Sequence, residues 1–310
     1  MIVYKELSSL TKDLNVSPKA LYSLSNHISS HYRETLIPKG NGEFRSLAVP
    51  DDFLKSVQKK IADTLLAYEE ISPYATAYRY GCSPLKNAKV HLGKSIILKL
   101  DIRHFFDHII FPAVLEKVFP KEKYSEQNRV LLTLLCLYKD SLPQGAPTSP
   151  FISNIIMKDF DNTVASRCRA LGITYTRYCD DLTFSGEFDP EEIIRFVKTE
   201  LKKTGFFLND KKTVISGKGR RKIVTGIVIN EKVNTPIQYR KKLRQDIYYC
   251  KKFGIASHMR RRNIPGDEAS YLRHLLGRVN YVLSADKSNK EMADNKKWIL
   301  NRLSQKPRKD

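Results

Sequence analysis

Two apolar stretches of the chain end in aspartate, and this limits the folds open to it more than any other feature. Ser95-Ile96-Ile97-Leu98-Lys99-Leu100-Asp101 reads as a buried strand that finishes on an acid. Ile173 to Ser185 reads as two β-rich runs meeting at Cys179-Asp180-Asp181, a hairpin with acids at its tip. Taken alone, adjacent aspartates at a turn are most often solvated or cap a helix. If the Asp101 strand lies beside the hairpin, three carboxylates converge on one point. Such a cluster is costly unless divalent cations neutralise it. An all-oxygen ligand set suits Mg²⁺, which takes few protein carboxylates and fills its shell with water and phosphate oxygens. Two such ions about 3.5–4 Å apart activate an attacking hydroxyl and stabilise a leaving pyrophosphate.

Charge points to the same class of substrate. The 310 residues carry 54 Lys and Arg against 33 Asp and Glu, a formal net charge of +21. The excess is uneven. Leu201 to Arg262 holds 18 basic and 3 acidic residues, a net +15 in 62 positions. Charge at that density repels itself unless a polyanion lies against it, which points to a nucleic-acid backbone track rather than a solvated face. The five cysteines (Cys82, Cys136, Cys168, Cys179, Cys250) show no C-x-x-C spacing and read as reduced thiols, not a zinc site or a disulfide framework. The apolar run Val130 to Tyr138 is too short to span a bilayer. Met1 to Glu6 has no charged region leading into an apolar one, so no secretory signal is expected. The expectation is a cytoplasmic protein with no membrane partner.

Elsewhere the pattern is mostly helical. Phe53, Leu54, Val57, Ile61 and Leu65 recur at helical spacing after Pro50-Asp51-Asp52. Gln127 to Tyr138 predicts an apolar helix, and Phe151 to about Arg169 another. Asp189-Pro190-Glu191-Glu192 is a helix start, with Ile193, Ile194, Val197 and Leu201 as its buried stripe. Lys222 to Asn230 reads as one further strand, and the last 80 residues as basic helices. In that tail Leu243, Ile247 and Cys250 are expected to face the core, with Arg240, Lys241, Lys242 and Arg244 facing outward. The order indicates an α+β body with a C-terminal helical module.

At the acids the sequence resembles a reverse transcriptase. Tyr178-Cys179-Asp180-Asp181 is similar to the family's Y-x-D-D box. Leu142-Pro143-Gln144-Gly145-Ala146-Pro147-Thr148-Ser149-Pro150 is similar to its L-P-Q-G-x-P-x-S-P loop. Leu100-Asp101-Ile102-Arg103-His104-Phe105-Phe106 resembles its first catalytic block. The three occur in the family's order, and the resemblance covers about Phe44 to Asn230. Asn87-Ala88-Lys89-Val90-His91 and Val224-Thr225-Gly226 resemble the N-A-x-x-H and V-T-G segments of bacterial retron enzymes.

The resemblance implies a right-hand polymerase. Its fingers would span 1–95 with 109–145 contributing, its palm 96–108 and 146–230, and its basic helical thumb 231–310. It implies that Asp101 and Asp180 bridge two Mg²⁺ ions with the backbone carbonyl of Ile102, and that Asp181 is a third catalytic acid and metal ligand. Phe106 would be the steric gate that selects deoxynucleotides, and Gln144 and Gly145 would shape the nucleotide pocket. Arg45 and Lys212 would meet the triphosphate and the leaving pyrophosphate, although surface ion pairs explain each equally well. Asn87, His91, Val224, Thr225, Gly226, Arg240, Lys241, Lys242 and Arg244 would contact nucleic acid.

For a retron enzyme the implied partners are dNTPs, an RNA–DNA duplex product, and one cognate structured noncoding RNA that serves as template and primer. The priming group would be an internal 2′-hydroxyl and the product a branched RNA-linked single-stranded DNA. An effector or toxin encoded nearby and a role in anti-phage defence belong to the same implication. Two alternatives stay open from sequence: a group II intron-like reverse transcriptase lacking an endonuclease domain, and a non-catalytic RNA-binding scaffold.

Overall fold

The structure, a computed structural model, describes residues 3–38 and 42–305; the outer domain limits expected at 1 and 310 lie outside them. In chain order the elements begin with α1 (Leu7–Leu14), α2 (Pro18–Asn26), β1 (Tyr32–Pro38), β2 (Phe44–Pro50), α3 (Asp52–Ile61), α4 (Pro84–Lys89) and β3 (Ile96–Asp101). Next come α5 (Phe111–Lys117), α6 (Glu126–Cys136), α7 (Ser149–Ile156), α8 (Lys158–Ala170), β4 (Thr174–Tyr178), β5 (Asp181–Gly186) and α9 (Pro190–Lys203). β6 (Val214–Ser216), β7 (Ile223–Val224) and β8 (Ile227–Val228) precede four helices, α10 (Ile237–Phe253), α11 (Ile255–Arg261), α12 (Glu268–Ala285) and α13 (Lys290–Ser304).

The chain divides into two compact units, 1–82 with 98–215, and 83–97 with 216–310. Residues 83–97 and 216–230 fall in the same compact unit as the basic helices.

In the first unit, local chemistry sets the helix starts. Asp51 accepts the Leu54 N–H at 2.8 Å and so caps α3, whose Leu54, Val57 and Ile61 are buried. Each such side chain contributes about 1.5–3 kcal/mol by leaving water. Asp189 caps α9 through the Glu191 N–H, and Ile193, Ile194, Val197 and Leu201 are all buried as the periodicity requires. The helix expected over Phe151 to Arg169 is instead two, α7 and α8, separated at Met157 (φ −85°, ψ 0°). No Gly or Pro marks that break, and Met157 is fully buried, so the periodicity runs through it unchanged. β1 and β2 form an antiparallel pair that matches Ile37 with Arg45. A second sheet has the order β4-β5-β3-β6, so the Asp101 strand does lie beside the hairpin.

In the second unit, the single strand expected over Lys222 to Asn230 is a tight hairpin. Val224 pairs with Ile227, while Thr225 (φ +45°) and Gly226 (φ +78°) turn the chain in the left-handed region. Its apolar face joins Val224, Ile227 and Ile229 to Ala88 and Ile97. The Thr225 hydroxyl donates to the Pro84 carbonyl at 2.7 Å and ties the hairpin to the start of α4. A separate core, with Leu243, Ile247, Cys250, Leu275 and Val279, holds the basic helices together.

His91 is buried in this unit, and burial, with the Lys94 charge second, pushes its pKa down from 6.5 to about 4. A histidine that protonates more readily when unfolded contributes stability that is complete above about pH 6.5. That stability is lost as pH falls toward 4, by about 3 kcal/mol in all. Comparing urea unfolding of the wild type and His91→Leu across pH 4–7 checks this. The variant is expected to lose the pH-dependent part of its stability; parallel curves refute it.

Candidate active site

The acids are placed by the sheet. In the β4–β5 pair Tyr178 stands opposite Asp181, which leaves Cys179 and Asp180 as a two-residue turn. Cys179 holds φ +61°, a left-handed conformation uncommon for any side chain but glycine. The Ile102 N–H donates to the Asp180 carbonyl at 3.0 Å, so the end of β3 is bonded directly to the turn. Beyond β3, the Arg103 N–H donates to Phe207 O and the Asn209 N–H to Asp101 O, both at 2.8 Å. This second tie brings Lys212, at the end of a short 3₁₀ turn (Asp210–Lys212), to the acids.

Lys212 Nζ donates to both oxygens of Asp101, at 2.9 and 2.8 Å. Crowding acts on the other two acids. Partial loss of solvation first, then the charges of Asp180 and Asp101, push Asp181 up to about 6. Asp180 is raised as well, by desolvation ahead of the Asp101 charge. Two acids with raised pKa values beside a carboxylate that draws in an ammonium group have the donor chemistry a divalent oxygen-seeking cation needs, and Lys212 is a stand-in for that charge. Among the described residues no three His, Cys, Asp or Glu side chains are close enough to hold a metal ion by themselves. The arrangement fits Mg²⁺ bound by one or two carboxylates plus non-protein oxygens, not a protein cage.

The remaining residues of the expected site sit as follows. Phe106 is half-buried and meets Phe105 edge-on at 5.3 Å between ring centroids. Gln144 and Gly145 lie on the loop that docks against β2, where the Ala48 N–H donates to Gln144 O at 3.0 Å. Gly145 has φ +132°, and a Cβ there would stand 2.7 Å from the Ala48 carbonyl oxygen, so only glycine allows this approach. Arg45 is exposed on the same strand, three residues before Ala48.

In the second unit, burial corrects the expectation for the retron-type segments. Asn87, His91 and Val224 are inside the fold, and their side chains are not offered to nucleic acid. Of the expected contact residues on that hairpin, Thr225 is partly exposed and Gly226 exposed. On α10, Lys241 and Lys242 are exposed. Arg240 bonds to the Asn234 side chain, and Arg244 pairs with Glu291 at 2.6 Å.

Sequence reading missed three contributors. Arg177 and Asp161 are fully buried and paired directly beneath the turn, and Tyr78 donates to Cys179 Sγ at 3.4 Å. A charged residue inside the otherwise alternating β4 was the available signal for Arg177. Nothing local marked Tyr78, which is brought there from 101 residues away.

Comparison with known proteins agrees with this geometry. Residues 37–239 match the family model described as reverse transcriptase (RNA-dependent DNA polymerase). The chain is 37% identical over 221 residues to the retron Ec83 reverse transcriptase of Escherichia coli, covering 66% of this chain and 70% of that one. It is 30% identical over 292 residues to the retron Ec86 reverse transcriptase of the same species, covering 92% and 86%. Against the retron Mx162 reverse transcriptase of Myxococcus xanthus the identity is 28% over 312 residues, covering 90% and 63%. The mixed helices and antiparallel sheet are those of the α+β right-hand polymerase fold. The acid-tipped hairpin beside the Asp101 strand, the Gln144-Gly145 loop and these similarities together place the chain in the reverse transcriptase family, as an RNA-directed DNA polymerase of the retron type.

Proposed function

We propose that this protein copies part of one cognate structured noncoding RNA into DNA. An internal 2′-hydroxyl of that RNA is the primer, and a branched RNA-linked single-stranded DNA is the product. The observation that carries the reading is the crowded Asp101, Asp180 and Asp181 site, which attracts a cation, in a chain similar to retron enzymes over most of its length. Asp101, Asp180 and the Ile102 carbonyl would hold two Mg²⁺ ions, which when bound supply Lewis-acid activation of a hydroxyl and of the leaving pyrophosphate. Asp181 sits on the primer side of that pair.

The chain's own residues do the rest. Phe106 presents its ring where a ribose 2′-hydroxyl would stand and so selects dNTPs. The Gln144-Gly145 backbone forms the wall of the nucleotide pocket, and Arg45 meets the triphosphate. Lys212, which pairs with Asp101, would give a proton to the leaving pyrophosphate. The RNA–DNA duplex lies against the basic helices, with Lys241 and Lys242 on phosphates. In this reading 96–108 and 146–230 serve as palm, 1–95 with 109–145 as fingers, and 231–310 as thumb. No helix among the described residues is long and apolar enough to cross a membrane. We place the enzyme in the cytoplasm, with anti-phage defence and an effector or toxin partner as its setting.

Sequencing the nucleic acid that co-purifies with the protein tests the proposal. A short noncoding RNA carrying a DNA branch at a 2′ position is expected. An intron lariat would overturn the retron reading and leave a group II intron-like enzyme.

A further inference from the structure

We propose that the buried pair Arg177–Asp161 is a positioning unit for the Tyr178-Cys179-Asp180-Asp181 turn, holding the Cys179 carbonyl so that both acids keep their approach to Asp101. The inference rests on the assignment of those acids as the catalytic site.

Both side chains are fully shielded from solvent. Asp161 projects from α8 and Arg177 from β4. Arg177 Nε donates to both Asp161 oxygens at 2.8 and 3.1 Å, and Nη2 donates to Oδ2 at 2.7 Å. The Tyr175 hydroxyl donates to Asp161 Oδ1 at 2.8 Å. One arm of the guanidinium remains, and Nη1 donates to the Cys179 carbonyl at 3.0 Å. That carbonyl belongs to the left-handed residue immediately before the first acid of the turn.

The main chain of Arg177 is also held. Its N–H donates to the Tyr74 carbonyl, and its own carbonyl accepts from the Thr76 N–H, both at 2.8 Å. The segment so attached carries Ala77, whose carbonyl accepts from Asn154 Nδ2 at 3.0 Å, and Tyr78, which donates to Cys179 Sγ at 3.4 Å. Cys179 is therefore gripped twice, at its carbonyl from beneath and at its sulfur from the 74–78 segment.

Stability alone does not account for such a pair. Removing two charges from water is costly, and replacing a buried ion pair with apolar residues of similar volume is often neutral or stabilising. What an apolar pair cannot supply is the third arm. A planar fork that binds a carboxylate with two edges and still reaches a carbonyl is particular to arginine. Left-handed backbone at a non-glycine residue persists where its surroundings over-determine it, and here they do.

The test uses Arg177→Lys, which keeps the charge and loses the fork, and the double variant Arg177→Met/Asp161→Leu, which removes the pair as a whole. Two quantities are read on folded protein: the Mg²⁺ dependence of primer extension, with kcat and the dNTP KM taken separately, and Mn²⁺ binding by EPR without nucleotide. Loss of a residue that orients metal ligands typically weakens metal binding about 10–100-fold, and a shift of that size is expected in both readouts, with the dNTP KM at saturating metal little changed. Wild-type metal dependence in either folded variant overturns the proposal. If neither variant folds, the pair is a requirement of the core, and the positioning role is likewise overturned.

Discussion

Raising salt from about 50 to 200 mM is expected to lower the affinity of this protein for RNA by about a thousandfold or more. The expectation comes from where the charge is placed. Of the 18 Lys and Arg between Leu201 and Arg262, 16 are exposed; only Lys222 and Arg240 are half-buried. Few of these cations are spent internally: Lys203 on Glu200, Lys212 on Asp101, Arg244 on Glu291. Surface pairs of this kind contribute little and give way readily to a phosphate. If about six cations meet phosphates, the logarithm of the binding constant falls with a slope near −5 against the logarithm of salt. Filter binding across a salt series measures it. A flat response would mean that the basic block does not follow a nucleic-acid backbone.

Asp180→Asn is expected to reduce RNA-templated DNA synthesis by about a thousandfold or more while leaving the fold in place. Stabilisation of transition-state charge by a bound divalent ion is worth several kcal/mol, and each 1.4 kcal/mol is tenfold in rate. The amide keeps the shape of the carboxylate and removes one charge from a site where desolvation and Asp101 already raise the Asp180 pKa. Neutralisation there relieves repulsion, so thermal stability is expected to hold or rise. RNA affinity is expected to be unchanged, because it rests on the exposed cations and not on the acids.

The chemistry of the site was legible because it is local. An apolar strand that ends on Asp101, and a hairpin whose turn carries Asp180 and Asp181, are patterns a period-2 reading finds. Their adjacency in the sheet was an inference that β3 beside β5 bears out. The helix caps at Asp51 and Asp189 were readable for the same reason. What escaped detection depends on distant partners or on turn geometry. The tight hairpin at Thr225-Gly226 hides inside one β-rich run, because both strands have the same composition. Asn87 and His91 look like exposed polar ligands in a line of sequence, and only the packing of Ala88 against Val224 and Ile227 shows that their segment faces inward. Gly145 could be read as a turn glycine, but not as the residue whose missing Cβ lets the loop pack against the Ala48 carbonyl. Arg177 reads as a surface cation until Asp161 is found beside it, 16 residues back in sequence.

The most direct test of the account is a primer-extension assay on an RNA template, run with Mg²⁺ and dNTPs, comparing purified wild type with Asp180→Asn at matched RNA occupancy. The account predicts Mg²⁺-dependent DNA synthesis by the wild type and background synthesis by the variant, with equal RNA binding. Extension by Asp180→Asn at the wild-type rate would contradict the assignment of the acid-tipped hairpin as the catalytic centre. No extension by either protein would support the non-catalytic RNA-binding scaffold instead.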